Sequence, residues 1–322
     1  MVSIHETTWH PLVIFAGTST QKESRGYRPG NFLGRSKGEL DIAGEPLLTR
    51  ALQNYAQAEV EGSRIGEIHL LGQKENLEHL IPDMLRKQVI LQHTVTTLGE
   101  KIAGLKQFGE QRVYIATADI IPSQEDLAAV LSFSNAHRDA SFLAPVIAGD
   151  DLLSLHFRRD RKHKMYPLRN ASGTNDSCAF SHLYAIRPSH ARLDTVGKFT
   201  DACFSDRERG LRSTQIFSAA RQLFPEMWKA VPKLVYCILG VRAGLDAHGE
   251  YQRSIVPIPD YAAMENLFAH AFYRNAAIKR PVVAALLHAP TLAMDIDDQH
   301  DLDIVRELYA SKNSALNRIK RG

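Results

Sequence analysis

The apolar run Val113–Ala118 stops on one acid, Asp119, within the segment RVYIATADIIPSQEDL. Pro122 ends the extended stretch, and Ser123 suits the N-cap of a helix beginning near Gln124. Open α/β sheets place ligand chemistry at the carboxyl ends of their strands. A single carboxylate there suits a hard cation and, through it, a phosphate. A second acidic cluster, MDIDDQHDL, spans Met294–Leu302. Asp295 and Asp297 alternate around Ile296, so in an extended segment they point the same way. Asp301 suits the first turn of a helix over Leu302–Tyr309, where the dipole favours negative charge.

The counter-charge has an equally definite place. The first strand runs into Ala16, Gly17, Thr18, Ser19 and Thr20. A long stretch rich in Gly, Arg and Lys comes next, holding Arg25, Arg28 and Lys37, before the next helix opens at Pro46–Leu47. Backbone N–H groups and cations in such a loop can surround an anionic ligand. It contains neither GxxxxGK[ST] nor GxGxxG, which disfavours a P-loop and a dinucleotide site. There is no GxSxG, so no serine nucleophile is indicated. His182 and His190 read as structural histidines, and Trp9 and Trp228 as core or interface.

These groups need a scaffold, and the first half of the chain alternates strand and helix patterns. Strands are expected at Leu12–Ala16, Glu67–Leu71, Val89–Leu91, Val113–Ala118 and Ser141–Ile147. Helices are expected at Leu47–Ala58, Asn76–Leu85, Leu98–Phe108 and Glu125–Asn135. That alternation predicts an α/β fold, a Rossmann-like three-layer α/β/α sandwich with a mostly parallel sheet. Further on, Phe180–Ile186 and Leu234–Leu239 read as strands, Ala262–Tyr273 as a helix, Thr200–Leu211 as a flexible loop, and Val282–Leu287 as an apolar segment of strand or helix length. His156–Lys164 reads as an exposed charged ribbon.

The bulk properties narrow the function class. With 322 residues, 44% hydrophobic and 23% charged, the composition is that of an ordinary globular chain, long enough for one enlarged domain. A net charge of +3 does not call for a nucleic-acid partner. Three widely spaced cysteines without CxxC spacing disfavour structural zinc and a disulfide framework, so a reducing, cytoplasmic setting is expected. No stretch has the length of a membrane span, and the amino terminus does not read as a signal peptide. Oligomeric state is left open.

Five segments, in order, carry a resemblance: PLVIFAGTS, KGELDIAGEPLL, TLGEKIAGL, TADIIPSQEDL and DIDDQHDL. Together they are similar to the MobA-like nucleotidyltransferases (molybdenum-cofactor guanylyltransferase-like), within the nucleotide-diphospho-sugar transferase (GT-A) fold. The resemblance implies that Ala16, Gly17 and Thr18 form the turn on which phosphates approach the backbone. It implies that Lys37 offsets triphosphate charge, that Asp119 binds Mg2+, and that Asp297, or else Asp295, completes the metal site. Thr97, Leu98, Gly99 and Glu100 would contact the nucleotide, and Arg25 or Arg28 would take the arginine role. Residues 1–150 would form the nucleotide-binding half and 151–280 the acceptor side. Residues 281–322 would form the closing strand and helix. Tyr166, Arg169 and Asn175, around Gly173, make a polar, basic and aromatic mix suited to a phosphorylated small-molecule acceptor. The implied reaction moves NMP from an NTP to that acceptor and releases pyrophosphate. A nucleotide-sugar-dependent glycosyltransferase and a catalytically inactive nucleotide-binding relative are the alternatives.

Overall fold

Strand β1, Thr8–Phe15, is apolar on both faces: Leu12 and Ile14 enter one buried cluster and Val13 another. A strand in the middle of a sheet covered on both sides needs that pattern. The computed structural model describes residues 7–16, 37–94, 97–155, 166–208, 260–273 and 281–319. After β1 come β2 (Asp41–Ile42), β3 (Glu45–Pro46), α1 (Leu47–Ala56), β4 (Glu59–Val60) and β5 (Ser63–Gly72). Next are the single turn α2 (Lys74–Leu77), β6 (Val89–His93), α3 (Leu98–Gly104), β7 (Val113–Thr117) and α4 (Gln124–Ala136). Beyond them lie β8 (Phe142–Ala148), α5 (Gly149–Ser154), β9 (Tyr166–Arg169), β10 (Asn175–Phe180), β11 (Leu183–Ile186) and α6 (Leu193–Glu208). The chain closes with α7 (Tyr261–Phe272), β12 (Val282–Leu287) and α8 (Gln299–Ile319).

The main sheet runs β5-β1-β7-β11-β8 through its centre, with β6 beside β5 and β12 beside β8. The pairs β6/β5, β5/β1, β1/β7 and β8/β12 are parallel, whereas β11 lies antiparallel between β7 and β8. One face is covered by α1, α4 and α8, through Leu48, Leu52, Leu127, Leu131 and Val305. The other is covered by α3, α6 and α7, through Ile102, Leu193 and Met264. This is the three-layer sandwich with a mostly parallel core that the alternation predicts.

Four local expectations change. The helix expected over Asn76–Leu85 breaks into α2 and two 3-10 turns, Glu78–Leu80 and Asp83–Leu85. Pro82 lies between the turns and cannot continue a helical hydrogen-bond ladder. The single strand expected over Phe180–Ile186 is two strands, because Ser181 Oγ bonds both the N–H and the carbonyl of Leu183 and turns the chain. Thr200–Glu208 belongs to α6 rather than to a loop; residues 209–211 and Leu234–Leu239 lie outside the described residues, as do His156–Lys164 and Trp228. Trp9 is 55% exposed, its ring capped by the Arg64 guanidinium at 4.7 Å.

The turn at Ser181–His182 has a further consequence. Because β12 occupies one edge of β8, β10 and β11 share the other, the edge that faces β7. The β9 strand, on the outer edge of β10, therefore continues the sheet in line with β7, beyond its carboxyl end.

Candidate active site

The strand order reverses at β1. The chain passes from β1 to β5 and β6 on one side, then returns to β7 on the other. A crevice outside the carboxyl ends of the strands opens at such a reversal. Here the two ends are Phe15–Ala16 and Thr117–Asp119, joined by a hydrogen bond from Ala118 N to Phe15 O at 3.2 Å.

Asp119 is held in place by the start of α4 and by the segment that precedes α8. Ser123 caps α4, its Oγ accepting from Asp126 N at 3.2 Å. The buried Asp126 carboxylate accepts from Thr291 N at 2.8 Å, and Thr291 Oγ1 accepts from Ser123 N at 2.8 Å. The segment before α8 is thereby locked to the start of α4. Ile296 N then donates to Asp119 O at 3.1 Å. Met294 and Ile296 are buried and Asp295 and Asp297 less so, the alternation expected of an extended stretch. Asp301 is buried in the first turn of α8, where its carboxylate accepts from Asp297 N at 3.1 Å.

Lys37 arrives from the opposite direction, on a 3-10 turn, Lys37–Glu39, packed on α1. Gly38 makes that packing close: a Cβ there would stand 3.2 Å from Leu48 Cβ. The Lys37 ammonium donates to Asp119 Oδ2 at 3.1 Å and to Asp297 Oδ1 at 2.9 Å, joining residues 82 and 260 positions away in the chain. Burial pushes the Asp119 carboxyl up, but Lys37, His182 and Thr117 outweigh it and hold it below the ordinary carboxylate value. Burial likewise lowers Lys37, yet the charges of Asp119 and Asp297 leave it above the ordinary lysine value. Both ends of the pair stay charged at neutral pH.

One atom of this group is left over. Asp119 Oδ1 is buried and finds no hydrogen-bond partner among the described residues. A buried carboxylate oxygen without a donor is costly unless a cation or ligand meets it. It therefore fits a metal ion, with Asp297 close by across Lys37. Among the described residues, no cluster of three or more His, Cys, Asp or Glu side chains forms a ready-made metal cage.

The remaining expected residues divide. Asp295 turns away from Lys37 to His182, with Oδ1 and Nε2 3.7 Å apart, while His182 Nδ1 lies 3.4 Å from Thr117 Oγ1. His182 thus joins the site, whereas His190 pairs with Ser141 and Glu110. Thr97 forms a capping box with Glu100, but its hydroxyl and the Gly99 N–H both donate to Asp201 of α6 at 2.7 Å. Gly99 packs directly on Gly197, so α3 and α6 touch backbone to backbone. Polar groups of the Thr97–Glu100 segment, expected to contact a nucleotide, are engaged in holding two helices together. Leu98 opens α3 and is partly buried. Lys101, one turn on, reaches Ala16 O at 3.2 Å, and burial lowers its pKa. It lines a cavity of about 170 Å³ with Leu71, Gln92, His93, Thr94 and Leu105.

On the acceptor side, Arg169 and Asn175 are exposed and opposite one another in the β9–β10 hairpin, on the carboxyl side of the sheet. Gly17, Thr18, Arg25, Arg28 and the Tyr166 side chain lie outside the described residues. Sequence reasoning missed Asp201 and set His182 aside. Neither carries a local motif, and only the helix pairing and the turn after β10 bring them in.

No protein-family model and no curated protein matches the chain. Solved structures do. A hypothetical transferase from Thermus thermophilus superposes with a TM-score of 0.52 at 16% identity, covering 92% of this chain and 100% of that one. The chain has the nucleotide-diphospho-sugar transferase-like fold. Weaker likenesses are to a CMP:2-keto-3-deoxy-manno-octonic acid synthetase complexed with CTP (TM-score 0.47, 13% identity, 94% and 99% coverage). Another is 4-diphosphocytidyl-2C-methyl-D-erythritol synthase from Anaerococcus prevotii (TM-score 0.45, 14% identity, 94% and 96% coverage). No described helix is long and apolar enough to cross a membrane.

Proposed function

We propose that the chain is a Mg2+-dependent nucleotidyltransferase of the MobA-like kind, moving NMP from an NTP to a phosphorylated small molecule. The observation that carries this reading is the meeting of Lys37, Asp119 and Asp297 at the strand-order reversal. An oxygen of the acceptor phosphate bonds to the α-phosphorus, the bridge from that phosphorus to the β-phosphate breaks, and pyrophosphate leaves. Both reactants are anions, so the site must cancel repulsion and stabilise charge on the leaving group. No protein nucleophile is required.

Asp119 and Asp297 are the residues that would hold Mg2+, and the bound ion supplies charge neutralisation on the phosphates. Lys37 adds a second positive charge beside the two acids. The β9–β10 hairpin, with Arg169 and Asn175, belongs to the acceptor half, residues 151–280, and residues 1–150 to the nucleotide half.

The test is NTP-dependent pyrophosphate release over a panel of sugar phosphates and cofactor precursors, with each of the four NTPs. Wild type is expected to turn over with at least one pair. Asp119→Asn and Lys37→Met should each lower the rate by about 10²-fold or more, with unchanged circular dichroism. Absence of both pyrophosphate release and calorimetric NTP binding would sink the reading.

A further inference from the structure

Lys37 does more than add charge to the site. Its ammonium touches Asp119 Oδ2 at 3.1 Å and Asp297 Oδ1 at 2.9 Å, and so occupies the space between the two acids that a shared cation would bridge. Magnesium binds carboxylate oxygens at about 2.0 to 2.1 Å. An ion at that distance from both acids and an ammonium already bonded to both cannot share the space between them. Two positive charges so close would also repel each other strongly.

We propose that Lys37 is a resident placeholder for the metal. In the nucleotide-free protein its ammonium closes the Asp119–Asp297 pair, and the divalent ion gains the pair when a triphosphate draws Lys37 away. The inference rests on the reading of Asp119 and Asp297 as the cation-holding pair.

The architecture suits such an exchange. The backbone of Lys37 is fixed by the bond from Leu40 N to Lys37 O at 3.1 Å and by the contact of Gly38 with α1. Only the side chain has to move, and four rotatable bonds let the ammonium swing without disturbing the turn. The acids stay where they are, held by Ile296 N on Asp119 O and by Asp301 on Asp297 N. Asp119 Oδ1 is buried and not reached by the lysine, and it meets no donor within hydrogen-bond criteria among the described residues. Metal and nucleotide are then coupled: each favours the other by the same factor, as reciprocity of binding free energies requires. Without nucleotide the ion is held weakly.

The experiment uses Mn2+ alone as the probe, titrated against nucleotide-free full-length protein and followed by the electron paramagnetic resonance of the free ion. Lys37→Met is expected to hold Mn2+ at least about tenfold tighter than wild type, since the competing charge is gone. Lys37→Gln should do the same, which covers the case in which the methionine variant fails to fold. Adding Asp119→Asn to the Lys37 variant should remove the gain. Equal Mn2+ affinity in wild type and both Lys37 variants would overturn the proposal. Calorimetry of wild type with each NTP plus Mn2+ separates the two ideas. NTP binding together with equal Mn2+ affinities discards the placeholder alone. No NTP binding and no Mn2+ binding in any variant discards both.

Discussion

His10 offers a stability prediction with a defined sign and size. It lies on β1 at 9% exposure, its Nε2 3.3 Å from Ser63 Oγ and its ring edge-on to Tyr114. Burial first, and then the Arg112 charge, lower its pKa from 6.5 to about 4. Below pH 6.5 the unfolded chain takes up a proton that the folded chain refuses. Stability therefore falls with pH from 6.5 until the folded value near 4 is reached, where the loss levels off. At about 1.4 kcal/mol per pH unit the ceiling is about 3 kcal/mol, most of it reached by about pH 4.5. Asp119 is also shifted down, below its ordinary 3.8, so its contribution is lost in the same direction but only at lower pH. His69 is also lowered by burial, with the Glu67 charge opposing the shift, so it serves as the comparison. Urea unfolding between about pH 7 and 4.5 should show the wild-type decline. His10→Gln should flatten it by more than half, and His69→Gln by less. An undiminished slope in His10→Gln would refute the assignment.

Two further substitutions test the scaffold around the site. Gly99→Ala drives a Cβ into the Gly197 carbonyl and the Asp201 carboxylate, so it should lower stability by about 1–3 kcal/mol and expose α3 amides to faster hydrogen exchange. An unchanged denaturant midpoint would contradict the backbone contact. Arg112→Met removes the donors to the carbonyls of Ser134, His137, Arg138 and Ala140, and should cost at least about 3 kcal/mol by the same measurement. A loss under about 1 kcal/mol would mean that water replaces the guanidinium there.

Much of the scaffold was legible because it is local. The limits of α1, α4, α7 and β12 come from apolar spacing, and the Ser123 cap from a side chain next to the helix it caps. Asp119 stood out because an acid ended an apolar run. Propensity failed where a distant partner decided the outcome. The polar stretch after Thr200 is helical, in a helix whose Gly197 meets Gly99 and whose Asp201 takes the Thr97 hydroxyl and the Gly99 N–H. The run from Phe180 to Ile186 divides at Ser181, so that β10 and β11 take successive stretches of β8.

The order of amino acids settles which residue types are on hand: a strand-end acid, a lysine after a long basic stretch and an acidic segment near the end. It does not say that they meet. Lys37 reaches Asp119 and Asp297 across 82 and 260 positions only because β1 and β7 are neighbours and because Thr291 and Ile296 tie the closing segment to that same strand end. It also leaves Asp295 and Asp297 equivalent. The folded chain turns one to His182 and the other to Lys37, a choice made by partners that no local pattern records.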